Sequence, residues 1–230
     1  MKKIIFCLFV LSPLFCNSQN QWKTAEISSN FTRYEFKNYS LSIPNTMELR
    51  GENSDMALVK AMLVDQIKRT KKIDIVDANF VFQPAGTDDV QNPEKQKKAL
   101  DLYARILISY HKGASDEYLR WNDDITYSQS TYNQLNKMLK DDILYEAKQM
   151  GTEIVSIDNV KIKKNTNKFV YFELQYIRKG LNGNVKVIDY YLHNNNEGAK
   201  LTISYRISDN NLWELDFSKI IDTFSFNIKK

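Results

Sequence analysis

LTISYR, Leu201 to Arg206, and the following LWELDFSKIIDTFSF, Leu212 to Phe226, decide how this chain folds. The first run reads as a strand that continues to Ile207. In the second, Trp213, Phe217, Ile220, Ile221 and Phe224 recur at three- and four-residue steps, the spacing of one helix face. Asp209 stands where a helix cap belongs. A strand that leads straight into an amphipathic helix predicts a carboxy-terminal helix lying on a sheet.

Upstream, Phe169 to Lys179 and Val185 to His193 read as strands flanking Asn182-Gly183, a two-residue hairpin signal. Glu153 to Lys161 alternates as another strand. Gln129 to Met150 predicts a long helix with an apolar stripe of Tyr132, Leu135, Leu139, Ile143, Ala147 and Met150, and Gly151 suits the position just past its end. Leu102 to Tyr110 reads as a strand with Ile106 and Ile108 on one face and Leu107 on the other, which predicts a sheet covered on both sides. Ser115 or Asp116 can cap a short helix through Trp121. Ile73 to Phe82 is strand-like and stops at Pro84 and Gly86. Residues 86 to 98 read as an exposed loop or short helix. Tyr39 to Ile43 is a strand ending at Pro44, and Ser54 caps a helix through Met56, Val59, Leu63 and Ile67. Consecutive strands with short turns favour antiparallel pairing. The expected class is α/β of the α+β kind: an antiparallel sheet covered by helices on both faces, a three-layer α/β/α sandwich.

In this order of elements the chain resembles the PsbP-like superfamily, which includes the photosystem extrinsic protein, a Ran-binding nuclear protein and the bacterial DcrB-type envelope proteins. The resemblance rests on YSLSIPNTMELR (Tyr39 to Arg50), FVFQPAG (Phe80 to Gly86), ARILISYHKG (Ala104 to Gly113) and the closing strand and Trp-bearing helix, and spans roughly Phe36 to the end. It implies an antiparallel sheet between helices and a binding or assembly role. It implies no chemistry and carries over no functional residue.

The amino end reads as a secretory signal peptide. Lys2 and Lys3 precede an apolar stretch from Ile4 to Phe15, too short to span a bilayer, and the small residues Cys16 and Ser18 suit a cut before Gln19. The expected organisation is a signal peptide over residues 1–18, a flexible segment over 19–35 and one domain over 36–230. The product is periplasmic or secreted; the alternative is a lipoprotein anchored through Cys16, which the bulky Phe15 disfavours. Both cysteines, Cys7 and Cys16, fall in the leader, so disulfide and thiol chemistry leave with it. No later segment is apolar for long enough to cross a membrane.

The chain holds 32 Lys+Arg against 28 Asp+Glu. That near balance gives no basic face for nucleic acid. No catalytic motif occurs: there is no G-x-S-x-G, P-loop, G-x-G-x-x-G, H-E-x-x-H or calcium loop, so no catalytic residue, metal or cofactor is expected. His111 and His193 each end a predicted strand, and a zinc site would need them to meet, with Asp189 or Asp116. The residues that stand out are Arg105, Arg178 and Arg206, each interrupting an apolar strand. A buried arginine must be paired or exposed. Its partner is a carboxylate such as Glu173 or Asp189, or the three form an anion-binding patch on the sheet. The expectation is a non-enzymatic envelope module that binds another protein. The alternatives are a small-ligand carrier, with a cavity between sheet and long helix, and an extracytoplasmic hydrolase.

Overall fold

Three long strands from the carboxy-terminal half build the centre of the molecule. In the computed structural model, which describes residues 30–50, 70–73, 79–112, 128–194 and 197–227, β9 (Val170–Gly180), β10 (Gly183–Asn194) and β11 (Glu197–Arg206) pair antiparallel. The turn between β9 and β10 differs from the expected Asn182-Gly183 corner. Gly180 pairs with Gly183, so Leu181 and Asn182 form the corner, and the positive φ of +114° falls on Gly183 alone. Glycine takes that φ without the Cβ penalty that asparagine would meet.

From this centre the sheet extends both ways. β6 (Ala104–Lys112) pairs with β11, β5 (Phe80–Pro84) with β6, and β3 (Met47–Leu49) with β5. On the far side, the strand predicted over Glu153 to Lys161 is formed only as β7 (Ile154–Ile157); β8 (Lys161–Lys164) begins at its last residue, and the two lie along successive parts of β9. A second sheet has the order β12-β2-β1-β4. It comprises β1 (Phe31–Phe36), β2 (Tyr39–Pro44), β4 (Thr70–Ile73) and β12 (Ser225–Phe226). Its β1–β4 pair is parallel; the other described pairings are antiparallel. The fold is therefore mixed α+β with mostly antiparallel strands, as expected, but divided between two sheets. β1 begins inside the 19–35 segment expected to be flexible, because Phe31, Tyr34 and Phe36 have a core to enter. The leader and the helices expected at Ser54 and Ser115 lie outside the described residues.

Aromatic side chains join the two sheets. Tyr34 meets Phe82 edge-on at 4.8 Å, Phe36 lies 4.4 Å from Phe80, and Tyr39 stacks 5.7 Å from both Tyr110 and Phe224. Edge-to-face and offset pairs of this kind add to the burial itself. Burial raises the hydroxyl pKa of Tyr34 to about 12, with Glu48 adding to the effect. Three helices complete the described structure: α1 (Pro93–Asp101), α2 (Gln129–Gln149) and α3 (Asn210–Thr223). The predicted stripe of α3 is buried in this core from Trp213 through Phe224.

α2 packs on the opposite face of the large sheet and covers only its β7–β9 end. Leu139 and Ile143 sit there with Val160, Phe172 and Leu174. Its stripe ends at Ala147; Met150, expected to be apolar-facing, is 70% exposed. At β6 on that same face, the cover expected from Leu107 is not found among the described residues. Leu107 is 40% exposed, and Arg105 beside it is exposed as well.

Candidate functional site

Strand register brings the three predicted arginines to one corner of this outer face. Arg178 on β9 pairs with Val185 on β10, and Val185 with Arg206 on β11, so both arginines share one cross-strand row. Arg105 lies in the next row, opposite Ser204. At the end of the row is Tyr103, just before β6, whose carbonyl accepts from the Arg206 N–H at 3.1 Å. The Arg105 guanidinium carbon stands 5.7 Å from the Tyr103 ring centre and that of Arg178 5.8 Å. These distances are within the range of cation–π attraction. Arg178 also donates to the Tyr103 hydroxyl at 2.6 Å. Arg206 donates to the Asp101 carbonyl at 3.0 Å and stands 3.4 Å from the Asp209 carboxylate.

The carboxylates expected to pair with these arginines are engaged elsewhere. Glu173, buried, is 2.7 Å from Lys163 and accepts from Gln175 at 2.7 Å. Asp189 is fully buried, accepts from the Thr202 hydroxyl at 2.6 Å, and lies 3.3 Å from Lys200. A buried carboxylate keeps its charge only with such partners. Tyr103 was not singled out because it reads as one more residue of the strand expected over Leu102 to Tyr110, and no local signal links it to Arg178, 75 residues away.

The histidines do approach each other. His111 on β6 and His193 on β10 both oppose Gly198 on the intervening β11. A Cβ built on Gly198 would stand 2.3 Å from the His111 Nε2, so glycine here is what lets the ring lie over the strand. Burial, then the His111 charge, lowers the His193 pKa to about 4. No group of three metal-ligating side chains occurs among the described residues, and Asp116 lies outside them.

A cleft of about 390 Å³ opens where α3 begins, lined by Ser156, Gln175, Ile177, Lys186, Ile207 and Glu214 among others. Lys186 meets Glu214 at 2.9 Å, and Asn210 donates to the same carboxylate at 2.6 Å. Burial pulls the Lys186 pKa down, but its bonds to Glu214 and Tyr205 leave it raised; the Lys186 and Asn210 bonds lower that of Glu214. The cleft is on the α3 side of the sheet. The cavity expected for a carrier, between sheet and long helix, is occupied by Leu139, Ile143, Phe172 and Leu174. None of the three arginines lines the cleft.

No protein-family model matches the chain, and no curated protein matches it. Solved structures similar to it include cyanobacterial PsbP from Synechocystis, at 11% identity and TM-score 0.45 over 86% of this chain and 92% of that one. Another, from Bacteroides thetaiotaomicron, has 9% identity and TM-score 0.39, and the match covers 83% of this chain but 46% of that one. A third is PA94 of Pseudomonas aeruginosa, a protein of unknown function described as a candidate regulator, with 11% identity and TM-score 0.37 over 87% and 98% of the two chains.

Proposed function

We propose that this protein is an exported, non-enzymatic binding or assembly module of the cell envelope, and that it engages a partner protein through the uncovered outer face of its large sheet. The observation that supports this is the gathering of Arg105, Arg178 and Arg206 around Tyr103 on a face where Leu107 is exposed. Charged and aromatic groups presented together on a rigid sheet suit recognition by contact. In this reading the molecule is layered, with α2 on one side of the large sheet and α3 with the small sheet on the other, and α2 stops short of β6, so that no described helix lies over Arg105 and Leu107. The export signal supplies the compartment. The test is chemical cross-linking in intact cells followed by affinity recovery of the tagged chain. One recurring envelope protein is expected; recovery of nothing reproducible in repeated preparations would sink the proposal.

A second reading, a small-ligand carrier, is supported by the cleft beside Lys186 and Glu214. A carrier would gain thermal stability with its ligand, and Glu214→Gln would reduce that gain. A screen of small polar metabolites that leaves the melting temperature unchanged would count against it.

A further inference from the structure

The cations on the strands of the large sheet fall into two groups. Lys161, Lys163, Lys179, Lys186, Lys200 and Arg206, the first group, each stand within 4.0 Å of a carboxylate. Arg105 and Arg178 form no ion pair with a carboxylate among the described residues; the partner they share is Tyr103. Glu146 on α2 and Asp189 both act electrostatically on Tyr176, which neighbours Arg178, yet neither is paired with that arginine. Arg178 is half-buried, so part of its hydration is already lost, and its bond to the tyrosine hydroxyl uses one of five guanidinium donors. Two guanidinium groups are thus oriented on one ring with charge that nearby described carboxylates do not neutralise.

Such an arrangement favours an incoming oxyanion. Guanidinium is planar and offers paired donors that match the two oxygens of a carboxylate, and the ring fixes its orientation before binding. The apolar groups at the same corner, the Tyr103 ring and the exposed Leu107, suit the stem and neighbours of an acidic residue in a polypeptide better than a bare inorganic ion. We propose that Arg105 and Arg178, held against Tyr103, bind a carboxylate of the partner protein, from an acidic side chain or a chain terminus. This rests on the binding-module reading above and identifies the chemistry of its contact.

The test uses the full chain and three probes measured by fluorescence or calorimetry: a glutamate-rich peptide containing aromatic residues, the same peptide with glutamine for glutamate, and inorganic phosphate. The glutamate peptide is expected to bind at least about tenfold more tightly than the glutamine peptide. Arg105→Gln and Arg178→Gln are each expected to weaken it about tenfold, the size of one lost charge-assisted contact. Arg178→Lys keeps the charge but loses the fork, and is expected to recover only part of that loss. Tyr103→Phe removes the hydroxyl and keeps the ring; a several-fold weakening is expected. Lys137→Gln, on the far surface of α2, should change nothing. Equal binding of the two peptides, unchanged binding by the arginine variants, or binding of phosphate without the peptide would each overturn the proposal. If those variants lose the peptide but still recover the cross-linked envelope partner, the binding-module reading stands and this contact does not. If the wild-type chain binds the peptide but recovers no partner, the contact stands and the module reading fails.

Discussion

At the scale of single residues, the face around Gly198 gives two predictions. Gly198 sits beneath the His111 ring, so Gly198→Ala forces that ring away or shifts the strand. Overpacking of this kind costs on the order of 1–3 kcal/mol. Denaturant unfolding should show the loss in the wild-type background and a smaller one in His111→Ala, where nothing opposes the new methyl group. The second concerns pH. The folded pKa of His193 is about 4, below the 6.5 of an exposed histidine, because burial and His111 disfavour its charged form. Folding therefore holds it neutral. Its contribution to stability is fully present above pH 6.5 and is lost as the pH falls toward 4. Between pH 7 and pH 5 the wild type should lose more unfolding free energy than His193→Phe; parallel curves would contradict the assignment. The contrast between His193 and the arginines also shows what was readable. All five residues, the two histidines and three arginines, could be picked out as polar interruptions of strands. That the histidines share Gly198 and the arginines share Tyr103 depends on the register of β6, β10 and β11, which a sequence read one strand at a time does not contain.

At the scale of elements, α2 and α3 were legible because their apolar stripes repeat over three or more turns, whereas α1, read only as a loop or short helix, buries Ala99 alone. α2 was expected over 129–150 and is found at Gln129–Gln149, with Ser128 accepting the Thr131 N–H at its start and Gly151 at φ +63° beyond its end. Ile143 lies at the centre of its contact with Phe172 and Leu174. Ile143→Ala should cost roughly 2–4 kcal/mol as a cavity-forming substitution, while Met138→Ala, half exposed on the other side, should cost little. Short strands were harder. β7 was extended to Lys161 because the alternation continues past its end, β8 was missed because three of its four residues are lysines, and β1 was hidden by the polar residues between its buried aromatics. The turn after β8 shows a different device. Asn165 is buried; its amide donates to the carbonyls of Ile221 at 3.1 Å and Phe224 at 2.9 Å, and its side-chain oxygen accepts from Phe169 N at 2.9 Å. One side chain thus ties this turn to the end of α3. Asn165→Ala removes three hydrogen bonds and strips the Phe169 N–H of its acceptor, while the Ile221 carbonyl keeps the Phe224 N–H and the Phe224 carbonyl keeps the Asn167 amide; it should cost about 1–2 kcal/mol in chemical unfolding, more than Thr166→Ala beside it.

At the scale of the whole molecule, the class of fold and its antiparallel character followed from strand order and short turns, whereas the division into two sheets did not. The small sheet is assembled from β1, β2 and β4 with the last two strand residues, Ser225 and Phe226, so its pairings join the two ends of the described chain. Only tertiary packing selects such long-range partners. Among the described residues the same packing leaves α2 over one end of the outer face and Leu107 on β6 exposed, and this asymmetry is what the binding-module proposal uses. A photo-reactive amino acid placed at position 107 on the open face, and in a second chain at position 215 on the outer side of α3, tests it most directly in living cells. The module reading predicts an adduct with one envelope protein from position 107, lost when Arg105 and Arg178 are replaced by glutamine, and none from position 215. An adduct from position 215 with none from position 107 would contradict it.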